Sequence, residues 1–150
     1  MIIEWRFKKF VELTTYELYD MLRLRSEVFV VEQNCVFLDQ DNIDQGCFHL
    51  LGYHENKLCA YARIVPPGIA YNEASIGRVV TSSLVRKTGE GKELMQESMK
   101  HLYALFGKID IKIGAQLYLK KFYESFGFNQ VSDIYMEDGI EHIYMKNTPS

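Results

Sequence analysis

The stretch Arg86-Lys87-Thr88-Gly89-Glu90-Gly91 stands where an apolar strand hands over to a helix, and its reading decides the fold. Upstream, Ser75-Ile76-Gly77-Arg78-Val79-Val80-Thr81 has the β-branched character of a strand. Downstream, Leu94, Met95, Met99, Leu102 and Leu105 recur at the spacing of a helix's apolar face. Both glycines therefore fall at a helix start. The first turn of a helix leaves backbone N–H groups without partners and carries the positive end of the macrodipole. Such a turn accepts phosphate when nothing bulky covers the backbone. Gly89 and Gly91 remove that bulk, and Arg86 and Lys92 add fixed positive charge, so the expected ligand group is a pyrophosphate.

Spacing separates the nucleotide motifs that share such a loop. A Walker loop needs G-x-x-x-x-G-K-[ST], but Arg86 stands at the first glycine and Glu93 follows Lys92. The dinucleotide fingerprint needs a third glycine three residues after the second, where Leu94 stands. What remains resembles the R/Q-x-x-G-x-G/A signature of the GNAT superfamily of N-acetyltransferases, whose loop holds the pyrophosphate of acetyl-CoA. A tight strand-to-helix turn with no ligand would give the same six residues, so the reading needs a second segment.

That segment is Ile109-Asp110-Ile111-Lys112-Ile113, which alternates as a strand and leads through Gly114-Ala115-Gln116 into Leu117-Tyr118-Leu119-Lys120-Lys121-Phe122-Tyr123-Glu124-Ser125-Phe126-Gly127-Phe128. It resembles the GNAT ending, a strand followed by a short helix bearing F-Y-x-x-x-G-F. Phe122, Phe126 and Phe128 read as core, whereas Tyr123 matches the tyrosine that lies beside the CoA sulfur in many GNAT enzymes. Leu22 to Cys35, with Asp39, Asp41, Asp44 and Phe48-His49-Leu50, resembles the ElaA-like branch, as does Glu137-Asp138-Gly139-Ile140-Glu141-His142-Ile143-Tyr144-Met145. That C-terminal layout is also similar to glyphosate-type N-acetyltransferases, in which the histidine at the place of His142 is the catalytic base. Gln116 stands where many GNAT proteins have asparagine, and Val36 replaces a proline frequent in this branch.

The resemblance implies an α+β fold: a mostly antiparallel twisted sheet, helices on both faces, and strands 4 and 5 splayed around the pantetheine arm. It implies acetyl-CoA as donor, held by the backbone of Val79, Val80 and Thr81 and by the loop Arg86, Lys87, Thr88, Gly89, Glu90, Gly91 and Lys92, with Gln116 and Phe122 alongside. Glu32, Gln33 and Arg78 are the expected acceptor-side residues. An ammonium has no lone pair with which to attack a thioester, so a base must take its proton. His142 is the candidate, with an ordinary pKa of ~6.5; its plain alternative is a strand residue after an Asp138-Gly139 hairpin turn. Tyr123 is the candidate acid for the leaving sulfur, its alternative being packing. Transfer would be direct, to a small-molecule or protein amine; the alternative is an acyl-CoA-binding sensor or interaction module without turnover.

Length and composition agree. A chain of 150 residues, 47% of them apolar, fits one domain, 1–150. The net charge of −3, with no basic stripe, gives no reason to expect nucleic acid. No apolar run approaches the ~20 residues of a membrane span, and Met1 to Lys8 alternates as a strand, so a soluble cytoplasmic protein is expected. Three cysteines without C-x-x-C spacing argue against a disulfide framework and a zinc site. Asp39-Gln40-Asp41 opens like a calcium loop, but Ile43 and Leu50 stand at ligand positions. The four histidines form no metal-binding array, so no metal is expected. His49, between Phe48 and Leu50, reads as a hydrogen-bonded structural histidine. The stretch from Glu32 to Asp44 holds four carboxylates and no Lys or Arg, which suits either a solvated loop or attraction of a cationic amine. A homodimer is in keeping with the superfamily, though no stretch of sequence encodes it visibly.

The expected path starts with a strand near 2–8. A helix follows, opened by a Thr14/Glu17 capping box, with an apolar face running from Leu18 through Met21 and Leu22 to Val28 and Phe29. A hairpin turns at His54-Glu55-Asn56-Lys57, and a turn at Pro66-Pro67-Gly68 precedes the strand before the glycine loop. After strand 5 and its helix, an antiparallel pair near 129–135 and 140–146 closes the chain.

Overall fold

A computed structural model describes residues 1–150. Four antiparallel strands lie in sequence order: β1 (Glu4–Lys9), β2 (Phe48–His54), β3 (Lys57–Val65) and β4 (Ser75–Thr81). The β2–β3 hairpin turns through Glu55 and Asn56 at φ 49° and 64°, the left-handed pair whose twist matches that of its strands. Between β1 and β2 comes α1 (Thr15–Arg25). Its capping box is formed: the Thr14 hydroxyl accepts from the Glu17 N–H at 3.1 Å, and the Glu17 carboxylate accepts from the Thr14 N–H at 2.9 Å. The apolar stripe does not continue as one α-helix to Phe29. After Arg25 the chain widens into a π-helical turn, Ser26–Glu32, in which the N–H of Gln33 and Cys35 reach back five residues to the carbonyls of Val28 and Val30.

The second sheet has β8 (Ile140–Asn147) at its centre, with β5 (Ile111–Gln116) on one side and the short β6 (Asn129–Gln130) and β7 (Tyr135–Glu137) on the other. β5 starts later and runs further than the alternation at 109–113 suggests, and the expected strand 129–135 is split into two brief pairings. α2 (Glu90–Phe106) buries Leu94, Met95, Ser98 and Leu102, whereas Leu105, near its end, is 42% exposed. Trp5 donates to the Glu93 carboxylate at 3.1 Å and so fixes the first turn of α2 against β1. A turn of 3-10 helix, Leu117–Leu119, leads into α3 (Lys120–Glu124), and the chain leaves it through Gly127 at φ 91°.

The two sheets meet at one point. Ala74 and Ile111 form a parallel bridge, the Lys112 N–H donates to the Ala74 carbonyl at 2.9 Å, and beyond that contact β4 and β5 share no ladder. The main core runs under both sheets and includes Leu50, Ile64, Leu94, Met95, Ile111 and Met145, while a second cluster around Met21, Leu24, Leu51 and Tyr61 seats α1 on the opposite face. The helices thus cover both faces of an α+β fold. No helix is long and apolar enough to cross a membrane.

The aspartates of the acidic stretch do not form a solvated loop. Asp39 and Asp44 are buried, and three arginines from elsewhere in the chain pair with the three aspartates. Arg25, fully buried, donates to Asp39 at 2.7 Å and Asp44 at 2.9 Å. Arg63 reaches Asp41 at 2.8 Å and Asp44 at 2.9 Å, and Arg78 stands 3.0 Å from Asp39. Burial alone would raise the Asp41 carboxyl, but Arg63 and Arg78 hold it down at about 2. His49 is structural as expected: its Nε2–H meets the Asp44 carbonyl at 2.9 Å, and Nδ1 lies 2.6 Å from the Tyr61 hydroxyl. Removing one partner of a buried pair strands the other's charge. Arg25→Ala is therefore expected to destabilise the protein by ~3–5 kcal/mol in urea unfolding, because Asp39 and Asp44 stay buried without it.

Candidate active site

Divergence of β4 from β5 opens a cleft of about 990 Å³, lined by both strands, the π-helical turn, α3 and the β7–β8 turn. One wall is the free edge of β4. The strand pairs only with β3 beyond Ala74, so its outward N–H and C=O groups have no ladder to complete. A bulge shapes this wall: Tyr61 pairs with Val80 but Arg63 with Gly77, which leaves Arg78 and Val79 opposite Ala62, with Arg78 at φ 47°. Val79, Val80 and Thr81 all line the cleft.

The loop that follows ends in left-handed residues, Lys87 at φ 70° and Gly89 at φ 91°, so the chain turns sharply into α2. A side chain at Gly91 would point into open space, with only the Phe122 ring near, 3.9 Å from where its Cβ would stand. Arg86, Lys87, Gly91 and Phe122 line the cleft; Thr88, Gly89, Glu90 and Lys92 do not. Glu90 is buried and hydrogen-bonded by the Thr88 hydroxyl, which leaves a carboxylate in the first turn of α2, where the helix dipole favours it.

Arg86 is already engaged. Its guanidinium makes a two-pronged ion pair with Glu32 at 2.8 and 2.6 Å and also donates to the Thr81 carbonyl at 3.1 Å. The Arg86 hydrogen bonds hold the Glu32 carboxyl below its usual range. Next along the chain, Gln33 accepts from Gln116 at 3.4 Å, and the Cys35 thiol donates to the Asp138 carbonyl at 3.2 Å. Residues 32–35 thus reach the glycine loop, the end of β5 and the β7–β8 turn, three elements that the splay holds apart. Arg78 also borders the cleft, but its guanidinium is committed to Asp39 and Asp41. Phe29, expected on the helix's apolar face, completes an apolar wall with Phe37 and Leu38, which fall in a stretch without strand or helix periodicity and carried no assignment from sequence.

Tyr123 and His142 both reach the cleft. The Tyr123 ring packs edge-on against Phe122 and Phe128, with centroids 5.2 and 6.0 Å away. Its hydroxyl is the one polar group of a side chain otherwise set among rings, and burial pushes its pKa well above the ordinary tyrosine value, so it keeps its proton at neutral pH. His142 lies 2.8 Å from the Ile140 carbonyl through Nδ1. A carbonyl can only accept, so Nδ1 carries the hydrogen and the lone pair of the neutral ring sits on Nε2. The Glu137 carboxylate is 3.4 Å from Nε2, and Tyr135 stacks on the ring at 5.7 Å. No group of three or more His, Cys, Asp or Glu side chains is arranged to hold a metal ion.

Residues 23–149 match the family described as acetyltransferase (GNAT) domain. ElaA of Escherichia coli is 39% identical over 146 residues, which cover 96% of this chain and 95% of ElaA. A UPF0039 protein of Synechocystis is 40% identical, covering 97% and 95% of the two chains. Among solved structures, an acyl-CoA N-acyltransferase from Pseudomonas aeruginosa superposes with a TM-score of 0.93 at 36% identity, over 97% of this chain and 99% of that one. The E. coli ElaA structure superposes with a TM-score of 0.91 over the same shares.

The three cysteines differ in access in a way that is open to measurement. Burial pushes the Cys47 thiol up to about 11 and raises that of Cys59, while Cys35 is half-buried at the cleft. At mildly alkaline pH the native protein is expected to react rapidly through Cys35 alone, with Cys47 and Cys59 becoming reactive on unfolding; thiol titration with and without denaturant measures both steps.

Proposed function

The chain belongs to the GNAT acetyltransferase family, in its ElaA-like branch, and from that premise we propose that it moves an acetyl group from acetyl-CoA to a primary amine of a small molecule or protein, by direct transfer in a ternary complex. The observation that carries this reading is the divergence of β4 from β5, which opens a cleft between a bare strand edge and a glycine-flanked helix start. The donor fits the residues present: Gly91 leaves open space at the first turn of α2, and the outward backbone of Val79 to Thr81 has hydrogen-bonding capacity to spare. The thioester supplies an activated acetyl group.

The rest is work for the protein's own side chains. The outward N–H groups at Val79 to Thr81 hold amide and carbonyl oxygens along β4, an alignment that costs no reorganisation at the moment of reaction. His142 takes the ammonium proton at Nε2, its Nδ1–H anchored on Ile140 and its new charge facing Glu137. Tyr123, protonated at neutral pH, gives its proton to the departing sulfur as the C–S bond breaks. No cysteine is required as an acyl carrier. The acceptor enters past Glu32, Gln33 and Arg78 against the apolar wall of Phe29, Phe37 and Leu38. Three unpaired cysteines support a reducing, cytoplasmic setting.

The test is a panel of amines screened for release of free thiol from acetyl-CoA. At least one amine is expected to release CoA in proportion to its acetylation; donor binding without release by any amine would favour a sensor of the same fold. Gly91→Trp fills the open space at the helix start and is expected to abolish acetyl-CoA binding in calorimetry; unchanged affinity would remove the loop from the donor site. With a responsive amine, His142→Gln should lower kcat/KM by ~100- to 10,000-fold and flatten the ascending limb of its pH profile, with acetyl-CoA affinity retained. Full activity with the same limb would return His142 to a structural role.

A further inference from the structure

Arg86 and Glu32 come from opposite sides of the cleft, and each answers to a different ligand. Arg86 opens the glycine loop, which in the proposed function faces the donor's pyrophosphate; Glu32 ends the π-helical turn, which in the proposed function lies on the acceptor side. Each is about a third exposed, at 39% and 34% of the side chain, so both are within reach of a ligand in the cleft. Their pairing is two-pronged, at 2.8 and 2.6 Å. It also uses donors that a phosphate would otherwise take, since a guanidinium fork matches a carboxylate and a phosphate alike. Apart from Arg86, no cation stands within salt-bridge distance of Glu32, so a departure of Arg86 leaves the carboxylate without a counter-charge on the cleft wall.

Resting on the proposed function, we infer that Glu32 and Arg86 form an exchangeable clasp: the donor's pyrophosphate draws Arg86 away from Glu32, and the freed carboxylate then receives the ammonium of the acceptor. The exchange conserves charge pairing at each stage. Before donor binding the carboxylate and guanidinium satisfy one another; afterwards the guanidinium faces phosphate and the carboxylate faces ammonium. Binding of the two substrates is thereby coupled through one ion pair, because the donor removes the cation that competes with the amine for Glu32. The neighbouring contacts give this exchange a defined hinge. Gln33 holds Gln116 and Cys35 holds Asp138, so the rest of the strap keeps its attachments when Glu32 lets go.

The acceptor class that follows is an amine protonated in solution, held first as ammonium by Glu32 and deprotonated only where Nε2 of His142 is in reach. An amide or a neutral aromatic amine gains nothing from the released carboxylate. Glu32 is in this scheme a binding residue, and Arg86 serves donor binding directly and acceptor binding by its removal.

The exchange is measured without turnover, by calorimetry of CoA and of pantetheine, which lacks the pyrophosphate. Glu32→Gln keeps the shape of the side chain and removes the competing charge. It is expected to tighten CoA by about two- to fivefold, the span of an exposed ion pair, and to leave pantetheine unchanged. Arg86→Gln is expected to weaken CoA and abolish the gain from Glu32→Gln in the double variant, which separates the exchange from a general loosening of the cleft. Equal CoA affinity in wild type and Glu32→Gln, or an equal gain for pantetheine, overturns the clasp. With a responsive amine and saturating acetyl-CoA, Glu32→Gln should raise the amine's KM by roughly tenfold with kcat little changed; an unaltered KM overturns the acceptor half of the exchange. If no amine releases CoA the proposed function fails, and the calorimetric comparison still decides whether Arg86 changes partners.

Discussion

One backbone hydrogen bond, from Lys112 N–H to the Ala74 carbonyl at 2.9 Å, is the point on which the two halves of the molecule are hung. It joins β4 to β5 in parallel at their starts, and nothing beyond it continues the ladder. A parallel pair normally carries evenly spaced bonds along its length, so a pair that stops after one contact leaves two unpaired edges facing each other. Exposed to water, such edges invite unwanted pairing. Here they are turned inward, walled by α3, the π-helical turn and the β7–β8 turn, so the groups that would be a liability at a surface face a cleft too narrow for another sheet edge to enter as a strand.

Holding two strands apart requires stiffness on both sides. The shared core under both sheets fixes how far they open, with Leu94 and Met95 of α2 packed alongside Ile111 and Ile113 of β5 and Ile76 of β4. The other face depends on charge. Arg25, Arg63 and Arg78 gather Asp39, Asp41 and Asp44 into a largely buried, electrically balanced group that clamps an otherwise irregular loop to the sheet. Ionic clamps of this kind add little net stability over an apolar substitute, but they penalise any arrangement in which one member is left alone. That property suits a loop which must stand in one place beside a cleft.

The fold was legible where local chemistry is decisive. Thr14 and Glu17 announce a helix start because a hydroxyl and a carboxylate can satisfy each other's backbone N–H groups, and the glycines at 89 and 91 announce another because the turn into α2 requires a left-handed residue at Gly89. The misses come from ambiguous local patterns and from tertiary pairing. The π-helical turn could not be told from an α-helix because Val28-Phe29-Val30-Val31 is a continuous apolar run, which presents an apolar residue to the core under either period. The acidic stretch looked free because its partners lie elsewhere in the chain: Arg25 is 14 residues before Asp39, and Arg63 is 22 residues after Asp41. At the site, resemblance supplied the residues but not their relations. Arg86 and Glu32 were assigned to different substrates, and only the folded chain brings them to hydrogen-bonding distance. The anchoring of His142 Nδ1 on a carbonyl two residues back is likewise a matter of rotamer, which spacing does not encode.

The π-helical turn from Ser26 to Glu32 can also be considered as a matter of length. Such a turn is equivalent to an α-helix with one residue added and accommodated without a break. Each residue of an α-helix advances by ~100° around its axis, so deletion of one residue here would let the turn relax to α-helical form and carry everything after it to another azimuth. Glu32 would leave the cleft and a neighbour would take its direction, while the core beneath α1, anchored by Met21 and Leu24, would be untouched. In lineages that share this architecture, a single-codon change in that turn offers a way to alter what the cleft admits without redesigning the scaffold.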